Sequence, residues 1–385
     1  MRTPLERVAA AALILCTLLI TTVQGADNNT RLLDAAEDGD TRLVQKLLDE
    51  GADPNAAADH GETPLIVAAA AGNWSVVKLL LAKGARVDQK NETGDRALMA
   101  AAFQGNSRVV KLLLGKGADP SARNSDGDTA LIDAARKGHW LIAKRLLAKG
   151  ADPNIKNSDG ETALMVASSH GIIGMVEMLL DAGADPNVQD GGGETAIIGA
   201  VAAGRIEVVE LLLEKRAKVN SANGEGVSPL MVASYEGITE MVELLLAGGA
   251  SVKAVDALGR TPLVLAAEGG NLDSAKLLIG KGADVNAADK IGNTALMMAC
   301  IAQNPSLVEY LIGRGADVNG RTKQGVTVLM KACLRPGNAA IADLLLKKGA
   351  DVKAKAATGA TAMMLATTLN DPEMVAVLRG KGKPK

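Results

Sequence analysis

The chain has 385 residues and a formal net charge of −2, and only 1% of its residues are aromatic although 48% are hydrophobic. Ala, Leu, Val and Met supply the apolar side chains, which favours closely packed helices over a β-sandwich or barrel. The chain carries no basic excess that would drive binding to phosphate backbones, so we expect no nucleic-acid partner. Forty-two glycines in such a composition indicate many short helices with many ends.

Residues 1–25 have the pattern of a cleavable signal peptide. Arg2 and Arg7 flank a short polar start, an uncharged and mostly apolar run follows from Val8 to Val23, and small Gly25 ends it. This order predicts export, with a periplasmic or secreted location. The alternative is an uncleaved N-terminal membrane anchor, although the run is shorter than a spanning helix of about 20 residues. Membrane contact is expected only in that alternative.

The rest of the chain repeats with a period of 33 residues, which indicates a repeat architecture. One position of the repeat is occupied in turn by Thr30, Thr63, Arg96, Thr129, Thr162, Thr195, Ser228, Thr261, Thr294, Thr327 and Thr361. The last step is 34 residues, because one extra residue lies near Pro336. About eleven copies therefore fill residues 28–382. They are followed by a short basic tail, 383–385, and leave no room for a separate catalytic domain.

The sequence of each copy predicts two short helices. Thr63 has the side chain of a helix N-cap, and Pro64 fits the first helical position, where a missing N–H costs nothing. A first helix is predicted over Leu65 to Ala70, and Gly72 stops it because glycine reaches the left-handed conformation without strain. A second helix with an inward apolar stripe is predicted around Val76 to Leu81.

These segments carry a family resemblance. Thr63-Pro64-Leu65, the Gly-Ala-Asp-Pro-Asn sequence at 51–55 and Val76 to Leu81 resemble the ankyrin repeat, as do their counterparts in later copies. The resemblance covers about nine-tenths of the chain. It implies an all-α ankyrin-repeat solenoid of about eleven helix-turn-helix units joined by hairpin-like loops. We expect it to be a monomer.

Some positions depart from the family pattern. The glycine that ends a helix is replaced at Arg216 and Gln303, and it is altered around Pro336 and Asn370. Since these residues reach the left-handed conformation less readily than glycine, the sequence predicts irregular turns at those places.

The His and Cys residues that could bind a metal or form a disulfide are not grouped in the sequence. His60, His139 and His170 lie in different copies, whereas a metal site needs three or four ligands together. His139 occupies a position filled by Asn elsewhere, which predicts a structural hydrogen bond. Cys300 and Cys333 share one position in adjacent copies, about 8–10 Å apart, whereas a disulfide needs Cα atoms within roughly 7 Å. We expect two buried free thiols.

No Ser-His-Asp order, phosphate-binding glycine loop or acid–base carboxylate pair stands out in the sequence. We therefore expect no catalytic residue, no cofactor, no metal and no small-molecule substrate. The chain is predicted not to be an enzyme.

The resemblance also implies where a partner binds, because ankyrin-family partners usually contact the hairpin tips and the exposed ends of the first helices. By position, the helix-end candidates are Phe103, Arg136, His170, Tyr235, Ile301 and Leu334. The tip candidates are Leu258, Arg260, Lys290, Ile291 and Arg321. Middle tips are acidic and later tips are apolar and basic, so one partner is predicted to bridge the boundary from Phe103 to Leu334. Solvated turns and isolated exposed apolar residues would produce the same pattern.

The sequence thus predicts a non-catalytic protein-protein interaction scaffold that binds a protein partner of unknown identity on its concave face. Two alternatives stay open. One is a membrane-tethered adaptor, and the other is an accessory subunit of an exported enzyme.

Overall fold

A computed structural model describes residues 27–381, with the side chain of Lys381 excepted. The predicted signal peptide, 1–25, and the predicted basic tail, 383–385, lie outside the described residues. Over the described part the chain forms eleven pairs of α-helices, which confirms the all-α prediction. A short 3₁₀ turn at Asp59–Gly61 is the remaining helical element there.

The odd-numbered helix is the first of each pair. These helices are α1 (27–38), α3 (Pro64–Ala70), α5 (Ala97–Phe103), α7 (Ala130–Lys137), α9 (Ala163–His170), α11 (Ala196–Ala202), α13 (Pro229–Glu236), α15 (Pro262–Glu268), α17 (Ala295–Ile301), α19 (Val328–Cys333) and α21 (Ala362–Thr368). The second helices are α2 (Thr41–Asp49), α4 (Trp74–Ala82), α6 (Ser107–Gly115), α8 (Trp140–Leu147), α10 (Ile173–Asp181), α12 (Ile206–Glu214), α14 (Thr239–Ala247), α16 (Leu272–Gly280), α18 (Pro305–Gly313), α20 (Ala339–Lys347) and α22 (Pro372–Lys381).

The predicted N-cap begins the first helix of most repeats. Thr63 Oγ1 accepts a hydrogen bond from the backbone N–H of Ile66 at 3.3 Å. Such a cap contributes about 1 kcal/mol, because it satisfies a backbone donor that the helix leaves free. Equivalent caps are made by Thr129, Thr162, Ser228, Thr261, Thr294, Thr327 and Thr361.

The core of a repeat is formed by apolar residues of both helices. In α3 and α4, Leu65, Ile66, Ala69, Val77 and Leu80 are each at most 4% exposed. Burying a Leu, Ile or Val side chain contributes roughly 1.5–3 kcal/mol. The small Ala residues allow first helices of neighbouring repeats to pack closely.

In most repeats a side chain at the start of the second helix ties the repeat to the preceding one. Asn73 Nδ2 donates to the backbone carbonyls of Ala36 and Glu37, at 3.0 and 2.6 Å. His139 fills the same position and its Nε2 lies 3.2 Å from the Phe103 carbonyl oxygen. The predicted structural hydrogen bond of His139 is therefore confirmed.

The chain divides into two compact units. Of the described residues, unit 1 contains 27–167 together with Ile172–Asp185, and unit 2 contains Ser168–Gly171 and 186–381. Within unit 1, α3 packs on α5 and α5 on α7, while α4 packs on α6. Within unit 2, α13 packs on α15 and α15 on α17. Each unit thus repeats one packing arrangement along its own length.

The loops between repeats turn back on themselves without forming strands in the described residues. Isolated antiparallel bridges join Lys90 with Arg96 in unit 1 and Arg321 with Thr327 in unit 2. Consecutive loop tips are linked as well. In unit 1, Ser125 N donates to Thr93 O at 2.8 Å. In unit 2, Lys290 N donates to Leu258 O at 2.8 Å.

The prediction of irregular turns is wrong at Arg216, Gln303 and Asn370. These three residues adopt positive φ angles of 66°, 55° and 53°, the left-handed conformation that glycine takes in other repeats. Gln303 N donates to Cys300 O, as Gly72 N donates to Ala69 O. The turn keeps its hydrogen bonds, which outweigh a left-handed strain of about 1–2 kcal/mol. Irregularity is confined to the stretch before Gly337, where α19 ends early.

Cys300 and Cys333 are buried and carry free thiols, as expected. Burial raises the pKa of each thiol to about 12. Over residues 27–381, no three or more His, Cys, Asp or Glu side chains are grouped so as to hold a metal ion. None of the helices described here is both long and apolar enough to span a membrane.

Candidate binding groove

Unit 1 contains a groove of about 740 Å³ along the first helices and the loops that precede them. We call it the inner groove. Its lining comprises Glu37, Glu62, Ile66, Val67, Ala70, Ala71, Asn91, Asp95, Met99, Ala100, Phe103, Gln104, Asn124, Asp128, Asp133 and Arg136. Five of these side chains are carboxylic acids and one is basic.

Three of the acids occupy the same position in successive repeats, immediately before the N-cap. They are Glu62, Asp95 and Asp128, and we call them the carboxylate row. An amide of the following repeat orients each one by a hydrogen bond. The pairs are Asn91 Nδ2 with Glu62 Oε1 at 2.7 Å, Asn124 Nδ2 with Asp95 Oδ1 at 2.9 Å, and Asn157 Nδ2 with Asp128 Oδ1 at 3.1 Å. For Glu62 and Asp95 the donors are neutral and leave the charge in place, whereas Asp128 is also paired with the guanidinium of Arg136.

A buried acid lies beside the row. Asp133 in α7 is 7% exposed and accepts a hydrogen bond from Arg136 at 3.2 Å. Burial, reinforced by the carboxylates of Asp128 and Asp95, raises the pKa of Asp133 to about 7, although Arg136 and Lys137 act in the opposite direction. Desolvation disfavours the charged form of a carboxyl group, so this acid titrates near neutral pH.

Arg136 is a candidate from the sequence, and the structure places it inside the groove with its charge already engaged. Its guanidinium contacts Asp128 through two bonds of 2.9 and 3.1 Å, in addition to the bond with Asp133. A bidentate contact of this type is strong and directional. Arg136 therefore shapes the groove and offsets part of its negative charge.

Phe103, the other candidate in unit 1, lies at the end of α5 and is 37% exposed. The Lys137 Nζ lies 4.2 Å from the centroid of its ring, a cation–π contact. Val67 and Ala100 add apolar surface to the same groove. The inner groove thus combines an aromatic ring, a small apolar area and several carboxylates.

The remaining candidates lie in unit 2. Tyr235 is 47% exposed, Leu258 58%, Ile291 54% and Leu334 42%. His170, Lys290 and Arg321 are also exposed, while Ile301 is partly covered. The tip hydrogen bonds bring Leu258, Lys290 and Ile291 onto neighbouring loops, so these three form one apolar and basic edge.

Arg260 differs from the other tip candidates because two acids hold it. Its Nε lies 2.7 Å from Asp256 Oδ2 and its Nη1 lies 3.3 Å from Glu268 Oε2. The Asp256 side chain is almost fully buried. Removing the Arg260 charge would leave a buried carboxylate without its partner, so Arg260 has a structural role.

Sequence reasoning missed four acids of the groove, Glu37, Glu62, Asp95 and Asp133. Glu62 and Asp95 were recognisable from the 33-residue spacing, which puts them in the position of Asp128. Glu37 was recognisable as well, since it holds the helix-end position that Phe103 occupies two repeats later. Asp133 carried no such signal, because the equivalent residues of the two preceding repeats are apolar.

The comparisons with known proteins agree with the fold. A family model described as ankyrin repeats (three copies) matches residues 32–124, 98–190, 131–223, 173–256, 197–289, 230–322, 263–356 and 296–384. Together the matches cover most of the chain, which therefore belongs to the ankyrin-repeat family. Proteins built from these repeats are generally protein–protein interaction modules and typically non-catalytic. A search of curated proteins finds no match.

Proposed function

We propose that this protein is a non-catalytic scaffold that binds a basic, extended segment of a partner protein in the inner groove of unit 1. The observation that carries the proposal is the carboxylate row, in which amide donors orient Glu62 and Asp95 and leave their charge in place, while Asp128 shares its charge with Arg136. Fixed carboxylates that keep their charge attract Lys and Arg side chains and increase the rate of encounter.

The spacing of the row defines the segment that fits. Packed helices of neighbouring repeats lie about 10 Å apart, so the row presents one carboxylate per roughly 10 Å. An extended chain advances about 3.1–3.4 Å per residue, so every third residue is separated by the same distance. The matching partner segment is extended and carries a Lys or Arg at every third position.

The rest of the lining supports binding. Phe103 and the apolar Val67 and Ala100 offer a surface for the residues between the basic ones. Aromatic side chains are frequent energetic anchors at interfaces. The amide of Gln104 adds a donor and an acceptor that suit the backbone of an extended peptide.

A peptide titration tests the proposal. The probe is (Lys-Pro-Pro)₄, which favours an extended helix, and the control peptide has the same composition with its four lysines contiguous. We expect isothermal titration calorimetry to show tighter binding of the periodic peptide. The double variant Glu62→Gln and Asp95→Asn keeps the oxygens that accept from Asn91 and Asn124, and we expect it to weaken binding about tenfold.

A single-charge control outside the groove is Glu177→Gln. Glu177 is an exposed residue of unit 1 that does not line the groove, so its loss of one charge should change affinity less than twofold. Equal binding of the periodic and contiguous peptides, or unchanged affinity in the double variant, contradicts the proposal.

We further propose that the protein acts outside the cytoplasm, in a periplasm or as a secreted protein. This proposal is supported by the basic, apolar and small-residue order of residues 1–25. Intact-mass measurement of protein recovered from the extracytoplasmic fraction should show a chain that lacks about 25 residues. Recovery of the full-length mass from a membrane fraction would favour the anchored alternative.

A further inference from the structure

The second helices of unit 1 present a basic surface on the side of the repeat that does not line the inner groove. Segments 74–84, 107–117 and 140–150 together contain eight Lys or Arg residues and no Asp or Glu. One exposed helical position is occupied by Lys78, Lys111 and Lys144 in turn. We call the surface of these three segments the outer basic face.

Acidic residues mark the two borders of this face. On the α2 side, Lys83 Nζ contacts Asp49 Oδ1 at 2.8 Å. On the α10 side, Glu177 follows Lys144 in the same helical position. The positive charge is therefore concentrated on α4, α6 and α8, although the chain as a whole has a net charge of −2.

Both tryptophans of the chain lie on the outer basic face. The ring of Trp74 is covered by cations, since Arg108 Cζ lies 4.4 Å and Lys78 Nζ 5.3 Å from its centroid. Trp140 is 55% exposed, and its neighbour Leu141 is 39% exposed. An exposed aromatic and an exposed aliphatic side chain next to ammonium groups form an amphipathic surface.

A hollow of about 350 Å³ lies on the same face. It is lined by Trp74, Arg108, Lys111, Leu112, Gly115 and Lys116. Three cations and an indole ring around a hollow of this size suit a phosphate group attached to an apolar body, because guanidinium and ammonium groups bind phosphate oxygens.

From this arrangement we infer that the outer basic face binds the headgroup region of an anionic lipid bilayer. Basic residues near an anionic membrane surface are attracted electrostatically, and tryptophan favours the boundary between headgroups and acyl chains. The exposed Leu141 favours a lipid surface over nucleic acid, which offers no apolar layer beneath its phosphates. This inference concerns a different face from the inner groove, so each proposal can fail without the other.

Tryptophan fluorescence gives a local readout in the chain without residues 1–25, the form expected after signal cleavage, because Trp74 and Trp140 are its only tryptophans. Vesicles of phosphatidylglycerol and phosphatidylcholine should shift the emission to shorter wavelength and reduce acrylamide quenching. Pure phosphatidylcholine vesicles should leave both unchanged. High salt should reverse the shift, since screening weakens exposed charge interactions.

Two charge-matched triple variants make the test specific. Lys111→Gln, Lys144→Gln and Lys149→Gln remove three charges from the outer basic face and should weaken vesicle binding on the order of 100-fold. The control, which changes Lys276, Lys347 and Lys348 of unit 2 to Gln, removes three exposed charges elsewhere and should bind within twofold of the original chain.

Several outcomes would overturn the inference. Unchanged emission with anionic vesicles would do so, as would equal responses to anionic and neutral vesicles or equal binding by both triple variants. A response to a single-stranded oligonucleotide without one to vesicles would reassign the face to nucleic acid. A shift that depends only on protein concentration would reassign it to a second copy of the chain.

Discussion

The position before the N-cap differs between the two units although its backbone role is the same. In unit 1 it holds Asn29 followed by the acids Glu62, Asp95, Asp128 and Glu161. In unit 2 its first residue, Glu194, is also an acid, and the later ones are Val227, Arg260, Asn293, Val326 and Ala360. The backbone N–H at this position donates to the side chain four residues earlier in both units. Asp95 N bonds Asn91 Oδ1 and Arg260 N bonds Asp256 Oδ1, each at 2.8 Å.

The comparison shows which part of a repeat is free to vary. Because the loop is closed by a backbone donor, the side chain at this position can change from repeat to repeat: it is an acid bound by neutral donors at Glu62 and Asp95, and a structural partner of Asp256 at Arg260. The two units therefore share a core and a loop conformation while differing in surface charge. Unit 1 presents carboxylates, and unit 2 presents the apolar and basic edge formed by Leu258, Lys290 and Ile291.

The strongest expected effect concerns thiol reactivity in unit 2. The pKa values of Cys300 and Cys333 are raised to about 12. At pH 8 the fraction of each residue present as thiolate is therefore lower than that of an unperturbed thiol by about 1000-fold or more. Iodoacetamide labelling of these two residues should therefore be very slow until unit 2 unfolds. Rapid labelling of the folded chain would show that the core of unit 2 opens.

Shortening an equivalent core leucine should lower the free energy of unfolding of the two units by the same amount. Leu98 in unit 1 and Leu296 in unit 2 share one position and are each 1% exposed. Replacing either with Ala should lower stability by about 3 kcal/mol, because each leaves a cavity of similar surroundings. Tryptophan emission reports unfolding of unit 1, and thiol labelling reports unfolding of unit 2.

The same probes decide whether the loss is local. Leu98→Ala should lower the urea midpoint seen by fluorescence by more than the midpoint seen by labelling, and Leu296→Ala should do the reverse. If the losses of unfolding free energy at Leu98 and Leu296 differ by more than about 1 kcal/mol, the two units do not share an equivalent core.

The fold was predictable from the sequence because its determinants are local and repeat. Thr63, Pro64 and Gly72 fix the ends of one helix by capping and backbone geometry, and their equivalents do so again every 33 residues. The position of His139 predicted its hydrogen bond in the same way. Helix bounds differ from prediction by one or two residues, as Trp74–Ala82 against Val76 to Leu81 illustrates.

The site was less predictable because it depends on contacts between repeats. The sequence indicated Phe103 and Arg136, yet it did not show that Arg136 binds Asp128 and Asp133. The irregular turn predicted at Gln303 was wrong for a related reason. A backbone preference of about 1 kcal/mol was overruled by hydrogen bonds and packing that the sequence does not display.

Asp133 should make the stability of unit 1 depend on pH. Its pKa is about 7 in the folded state and about 3.9 in the unfolded state, so the folded state binds the extra proton between these values. Its contribution is fully present below pH 4 and is lost as pH rises through 7. Asp133→Asn should therefore stabilise unit 1 by roughly 2 kcal/mol at pH 8, and by less at pH 5. Urea unfolding followed by tryptophan emission measures the difference.

The Asp133→Asn substitution removes the titrating charge and keeps the shape of the side chain. The amide oxygen still accepts from Arg136, so the contact between these two residues is retained. The affinity for the peptide should also change with pH as Asp133 titrates, because a protonated Asp133 lowers the negative charge of the inner groove. Affinity for (Lys-Pro-Pro)₄ should then be lower at pH 6 than at pH 8, and this pH dependence should be absent in the Asp133→Asn variant. An unchanged pH dependence in the variant would assign it to another group.

The smallest expected effect lies at the end of the second helix, where unit 2 has Arg216 and unit 1 has Gly84. Their φ angles are 66° and 94°, so both are left-handed, and only arginine is strained there. Arg216→Gly should stabilise unit 2 by about 0.5–1 kcal/mol, after the larger backbone entropy of glycine is subtracted. A Cβ added at Gly84 meets no atom within 4 Å, so Gly84→Ala should destabilise unit 1 by a similar amount through the backbone alone. Thiol labelling measures the effect of the first substitution, and tryptophan emission measures that of the second. If the left-handed turn rather than side-chain packing determines stability at this position, the two changes in the free energy of unfolding must have opposite signs.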